Sequence, residues 1–201
     1  VVVDDGSSDG TAALLREFQG RYEVIFHEKN QGKGAAVRHG FERATGDIVL
    51  IQDADLECDP RNYPSLIQPI LEGRADAVFG SRFRNKDFRH LSWELYLGNK
   101  FLTTLSNICT GFRLTDMWTG YKAFRREVVQ EILPLLRARR FEIEPELTAR
   151  IAQKKFRLEE IPLHFIGPSR DVKAGKKINW KYGIAAVWYI VSYAVDRYKS
   201  K

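Results

Sequence analysis

The chain has 201 residues, 44% of them hydrophobic and 29% charged, which is enough for one full core and too little for two large domains. Its only cysteines, Cys58 and Cys109, and its four histidines show no metal-ligand spacing, which argues against a disulfide scaffold and a zinc site and fits a reducing compartment. The net charge of +6 reflects either an anionic partner (nucleic acid, phosphorylated substrate or acidic membrane surface) or an ordinary basic surface.

The chain opens as VVVDDGSS, inside a strand and without a starting Met, basic region or cleavage site. No secretory leader is therefore expected, and the sequence reads as N-terminally truncated. VVVD predicts a strand, DGSSDGT a loop, and TAALLREFQ a helix capped by Ser8 or Asp9. YEVIFHE is the next strand, NQGKG a loop and AAVRHGFERAT a helix. DIVLIQ predicts a buried strand ending in an acidic turn, and Pro60 opens the helix that follows. ADAVFGSRF is a fourth strand. This rhythm implies an α/β fold with right-handed crossovers and a mainly parallel sheet covered by helices on both faces.

The second half is less regular. Residues 92–110 predict a helix, GYKAFRR a strand leading into a helix, IEPELTARIAQKK a helix and FRLEEIPLHF a half-buried strand. GPSRDVKAGKKIN is a basic, glycine-bearing loop. The apolar stretch of the tail, within residues 180–201, is shorter than the roughly 20 residues of a membrane span. Its helical spacing fits either a helix packed on the domain or one lying at a membrane surface.

Ligands of parallel sheets bind beyond the carboxyl ends of the strands, where VVVDD, LIQDAD and VFGSR all place polar residues. Alternate residues of an extended segment point the same way, so Asp53, Asp55 and Glu57 can converge on a hard divalent cation, Mg²⁺ or Mn²⁺, whose shell a diphosphate completes. Asp4 and Asp5 either meet the N–H groups of a base or the hydroxyls of a ribose, or cap the GSSDGT turn. NQGKGAA lacks the full spacing of a nucleoside-triphosphatase P-loop, which leaves Lys33 as a phosphate or structural contact.

Together the segments VVVDDGSSDGT, NQGKGAAVRHG, GDIVLIQDADLECDP, VFGSRF, LGNKFLTTLSN, DMWTGYKAFRREV, FEIEPELTARI and GKKINW resemble family 2 glycosyltransferases of GT-A fold, in the polyprenyl-phosphate branch that includes dolichyl-phosphate mannosyltransferase. The resemblance runs in the family's order from residue 1 to about residue 181. It implies one catalytic domain that transfers a sugar, with inversion and a metal ion, from a nucleotide-diphosphate sugar to a polyprenyl phosphate. In that frame Asp4 and Asp5 contact the nucleotide, Asp53 lies near the donor ribose and sugar, and Asp55 and Glu57 hold the metal. Arg82 meets the acceptor phosphate, assisted by Lys100 with Thr103 or Thr104. Arg170, Lys173 and Lys176 match a basic loop over the donor diphosphate.

The family ordinarily begins with a further strand and helix, which this sequence lacks, and the Q-x-x-R-W pattern of processive synthases is also missing. A lipid phosphate arrives ionised and needs a cationic cradle, for which arginine is suited; a hydroxyl acceptor would need a base. Asp116 is either that base or a structural acid near Trp118 and Tyr121. A lipid acceptor implies peripheral contact with the cytoplasmic face of a membrane. The competing functions are a glycosyltransferase with a hydroxyl acceptor and a sugar nucleotidyltransferase. A nucleic-acid binder is disfavoured, because Lys and Arg are spread along the chain without a recognised motif.

Overall fold

The computed structural model describes residues 1–54, 59–84, 93–164 and 180–199. Strand β1 (Val2–Asp4), helix α1 (Thr11–Glu17), strand β2 (Val24–Phe26) and helix α2 (Lys33–Arg43) come first. β1 and β2 pair in parallel, Val3 opposite Ile25, as a helical crossover between strands requires. Asp9 accepts hydrogen bonds from the Thr11 amide and hydroxyl just ahead of α1. Gly6 lies at φ +74°, and a Cβ there would stand 2.6 Å from the Asn30 nitrogen. Glycine is what lets the loops leaving β1 and β2 touch.

Strand β3 (Ile48–Ile51) follows, then α3 (Tyr63–Leu71), β4 (Ala77–Ser81), α4 (Trp93–Thr110), β5 (Lys122–Arg125), α5 (Arg126–Ile132), α6 (Ile143–Gln153), β6 (Leu158–Pro162) and α7 (Trp180–Lys199). A short 3₁₀ turn beginning with Pro60 leads into α3, and Asp59 caps it by accepting from the Arg61 amide. The later strands pair in the order β3-β5-β4-β6.

β4 and β6 are parallel, while β5 runs antiparallel to both its neighbours. The sheet is thus partly parallel, less so than the strand–helix rhythm predicts. The physical reason is the route of the chain. β4 leaves the sheet at Ser81, and α4 with its following loop returns to that same edge, where the Gly80 amide donates to the Tyr121 carbonyl. β5 therefore starts at the carboxyl end of β4 and runs back. β3 is half-buried rather than buried, because it is the end strand of this ladder; all five residues of β4 are buried.

The pleat divides the core between the two faces. Ala77, Phe79 and Phe124 pack with Phe41, Val128, Ile132, Ile143, Leu147 and Ile151 from α2, α5 and α6. Val78, Tyr121 and Ala123 pack with Leu66 and Ile70 of α3 on the other face. Phe79 and Phe41 each meet Phe124 edge-on, and burying one such ring contributes about 2 kcal/mol.

α7 packs against α4 and α6. Its buried stripe is Ala186, Ile190 and Tyr193, with Gln153 donating to the Tyr193 carbonyl. Helical spacing also permits Ile184, Val187, Trp188 and Val191 as a packing face, yet Ile184, Trp188 and Val191 are exposed. The two stripes lie two residues apart in phase, close to opposite sides of a helix, and the small Ala186 admits the closer approach. Among the described residues no helix is long and apolar enough to cross a membrane.

Candidate active site

The antiparallel register puts three strand ends together. Ile51 pairs with Lys122, so two steps further out Asp53 comes opposite Gly120. A Cβ on Gly120 would stand 2.3 Å from Asp53 Oδ2; the carboxylate occupies the space a side chain would fill. Lys33, at the start of α2, donates to Asp53 Oδ2 at 2.8 Å and also pairs with Glu144 Oε1 at 2.7 Å. Glu144 in turn holds Lys122, whose ammonium also donates to the carbonyls of Met117 and Thr119 and lies over the Phe79 ring. Burial pulls the pKa of Lys33 down, but Glu144 and Asp53 more than reverse this, and it rises. Lys122 is lowered, chiefly by burial and despite Glu144. Glu144 is held low although burial pushes it up, because both lysines favour its charge.

Next to this chain lies the first acidic strand end. Asp4 is buried and accepts from the Ser7 amide, which is the turn-capping role. Asp5 does not serve its own turn. Its Oδ1 accepts from the Gln31 amide and contacts His27 Nδ1, and its Oδ2 accepts from the Gly32 amide, at 2.7–2.8 Å. Burial is the largest influence on Asp5 and acts upward, yet these partners together hold its pKa low. An internal carboxylate thus takes the amides of the NQGKG loop, while Lys33 pairs with Asp53 and Glu144. His27 Nε2 continues the chain to His39 Nδ1 at 2.6 Å.

The third segment carries cationic charge. Arg82 follows β4 and grips Asp116 with Nε and Nη2. Asn99 of α4 also donates to Asp116, and Thr103 donates to Asn99 while accepting from the Met117 amide. Asp116 is fully buried, and Arg82 and Asn99 hold its pKa below the usual range although burial acts upward. The carboxylate is thus held in its charged form and in one orientation by Arg82 and Asn99. Glu160 fixes the same loop by accepting from the Thr115 and Asp116 amides. Burial and the neighbouring Asp116 raise its pKa against those bonds. Thr103 faces inward, whereas Lys100, one residue on from Asn99, is exposed with its ammonium over Tyr96.

Asp4, Asp5, Lys33, Asp53, Arg82 and Asp116 thus come from five separate segments to one end of the fold. Asp55, Glu57, Arg170, Lys173 and Lys176 lie outside the described residues. Sequence reasoning assigned no role to Glu144, Lys122 or Asn99. The available signal was a charged residue inside an apolar pattern, Lys in GYKAF and Glu in IEPEL, since buried charges need partners. For a divalent ion, the all-oxygen donors of DADLE fit a hard cation. Asp53, Asp55 and Glu57 are the residues that would hold such an ion, and of these Asp53 is paired with Lys33.

Comparison with known proteins adds the following. Residues 1–133 match the family model described as glycosyl transferase family 2. A UDP-N-acetylglucosamine–dolichyl-phosphate N-acetylglucosaminyltransferase of Methanococcus voltae is 27% identical over 197 residues, covering 89% of this chain and 78% of that one. A polyprenol monophosphomannose synthase of Mycolicibacterium smegmatis is 32% identical, covering 82% of this chain and 65% of that one. Among solved structures, glucosyl-3-phosphoglycerate synthase from Mycobacterium tuberculosis in complex with Mn²⁺, UDP-glucose and phosphoglyceric acid superposes with a TM-score of 0.66. Its identity is 21%, with 98% of this chain and 67% of that one covered, a likeness that shows the GT-A fold.

Proposed function

The chain belongs to glycosyl transferase family 2, and from that premise we propose that it transfers a sugar, with inversion, from a nucleoside-diphosphate donor to a polyprenyl phosphate. The observation that carries this reading is the state of the carboxylates. Among the described residues of the site, Asp53 and Glu144 are neutralised by lysines and Asp116 by Arg82, while Asp5 is held by hydrogen bonds to His27 and the Gln31 and Gly32 amides. None of these four stands ready as a general base, and the acceptor side presents a guanidinium instead. A phosphate acceptor needs such a cation and no base. The names of the similar proteins, a dolichyl-phosphate N-acetylglucosaminyltransferase and a polyprenol monophosphomannose synthase, support the same choice over a hydroxyl acceptor.

In this reading an oxygen of the lipid phosphate attacks the anomeric carbon in line with the departing diphosphate. The new carbon–oxygen bond forms as the bond to the nucleotide breaks, and no proton has to move. Arg82 holds the phosphate, oriented by Asp116, with Lys100 adding charge beside it. Asp53 faces the donor sugar and ribose, while Asp5 serves the donor indirectly by shaping residues 30–32. A divalent ion on Asp55 and Glu57 would neutralise charge on the leaving diphosphate, and Arg170, Lys173 and Lys176 would add to that neutralisation.

Reaching a lipid requires a membrane. α4 exposes Trp93, Leu97, Phe101 and Ile108, and the neighbouring α7 exposes Ile184, Trp188, Val191 and Val195. Tryptophan and aliphatic side chains on a helix lying at an interface fit peripheral attachment, in our reading at a cytoplasmic face.

The deciding experiment offers the protein UDP- and GDP-sugars with Mn²⁺ and either a short polyprenyl phosphate or the corresponding free alcohol. Transfer to the phosphate alone is expected. Transfer to the alcohol at a comparable rate would overturn the reading, and loss of donor binding in Asp55→Asn tests the metal assignment.

A further inference from the structure

The ion chain Lys122–Glu144–Lys33–Asp53 grades from core to surface: its side chains are 1%, 5%, 19% and 32% exposed. Its formal charges alternate and sum to zero. A buried carboxylate between two lysines is costly to assemble, and replacing such an array with apolar residues is often neutral or stabilising. Stability alone therefore does not account for it.

Its two ends touch different parts of the site. Through Lys33, Glu144 reaches Asp53 on the donor side. Through Lys122, it reaches the carbonyls of Met117 and Thr119. Those residues flank the loop in which Asp116 holds Arg82, and Gly120 of the same loop backs directly onto Asp53. Asn99 and Thr103 brace that loop from α4, so a shift at Met117 reaches the Asp116 carboxylate with little slack.

We propose that Glu144 is a positioning residue that couples the two half-sites, fixing Asp53 for the donor and the 116–120 loop with Arg82 for the acceptor at once. This rests on the reading of Asp53 as donor-facing and Arg82 as acceptor-facing. Glu144 itself touches neither substrate; it acts through its two lysines.

The test uses Glu144→Gln, which keeps size and removes charge, beside Asp53→Asn, Arg82→Lys and the double variant Asp53→Asn/Glu144→Gln. Donor affinity is measured by calorimetry with the tightest-binding member of a UDP- and GDP-sugar panel, and acceptor KM with a short polyprenyl phosphate. Folding is checked separately by thermal unfolding. Glu144→Gln is expected to weaken donor binding and raise acceptor KM together, each roughly tenfold. In the Asp53→Asn background it should cost less than about twofold more in donor affinity, because the two share one path. A folded Glu144→Gln with wild-type values on either side, or full additivity with Asp53→Asn, would overturn the coupling. If Asp53→Asn or Arg82→Lys alone leaves its own substrate unaffected, the donor and acceptor assignments fail and the coupling fails with them. Should Glu144→Gln not fold, Glu144→Asp, with its charge kept and its reach shortened, is read by the same values; wild-type behaviour on both sides would overturn the proposal.

Discussion

Arg82 and Asp116 meet as two forks, Nε on Oδ2 at 2.6 Å and Nη2 on Oδ1 at 2.8 Å, with the Arg82 amide adding a third bond to Oδ2. The carboxylate is completely buried, and the guanidinium keeps 21% of its side chain exposed. In the proposed reading this asymmetry makes the buried partner the mount and the exposed one the working group. A planar cation locked in this way presents charge to a phosphate without losing rotamer freedom at the moment of binding.

The first prediction concerns that lock. Arg82→Lys keeps a cation but loses the fork, and should cut transfer to lipid phosphate by about tenfold to a hundredfold, the worth of a charged hydrogen bond. Hydrolysis of the donor by water should fall much less. Both rates are followed by release of nucleoside diphosphate with and without acceptor. Equal losses would assign Arg82 to the donor or the fold.

The second follows from the depressed pKa of Asp116. The unfolded state binds the proton more readily, so the stability this carboxylate contributes is full above the ordinary aspartate value of about 3.9. It is lost as pH falls through the lower folded value. Asp116→Asn should lower stability by about 3 kcal/mol at pH 7, by breaking the buried two-bond fork to Arg82, and should flatten the acid limb. Urea unfolding of both proteins between neutral and acid pH measures this; parallel limbs would contradict it.

Legibility in the sequence followed range. Strand ends, the crossover rhythm and the acids of VVVDD and LIQDAD were readable, because periodicity and capping are local. The direction of β5 was not, since KAFR alternates identically whichever way it pairs. Nor was the use of Asp5: its partners Gln31 and Gly32 lie more than twenty residues on, and nothing near Asp5 marks them. The phase of α7 was ambiguous because both of its faces carry apolar residues; the tertiary partner, α6, decided it. Glu144 and Lys122 declared themselves only as misfits in apolar patterns, and which misfit pairs with which is a tertiary fact.

The third prediction uses the contact between Gly120 and Asp53. Gly120→Ala places a methyl group where Asp53 Oδ2 now lies, so the carboxylate must turn and its bond to Lys33 must lengthen. Overpacking of this kind costs about 1–3 kcal/mol, here concentrated on the donor side. Donor affinity should drop roughly tenfold, as read by calorimetry. Unchanged donor affinity in a folded variant would remove Asp53 from the donor site.

The fourth prediction asks how the protein meets its lipid. Trp188 is 64% exposed and Phe101 62%, on two helices that pack together. Each would contribute about 2 kcal/mol if fully withdrawn from water, and the net charge of +6 adds attraction to anionic lipid that salt weakens. Neither side chain is among the buried core residues, so Trp188→Glu and Phe101→Glu should leave thermal unfolding close to wild type. On anionic liposomes at low salt the wild-type chain should float with the vesicles, each single variant should float less, and the double variant should stay in the soluble fraction. Transfer to a long-chain polyprenyl phosphate embedded in those vesicles should fall in parallel, while transfer to a short, water-soluble acceptor holds. That split separates attachment from chemistry, because damage to the active site would lower both. If the double variant floats as well as the wild type, these helices do not form the attachment surface, and their apolar faces need another explanation.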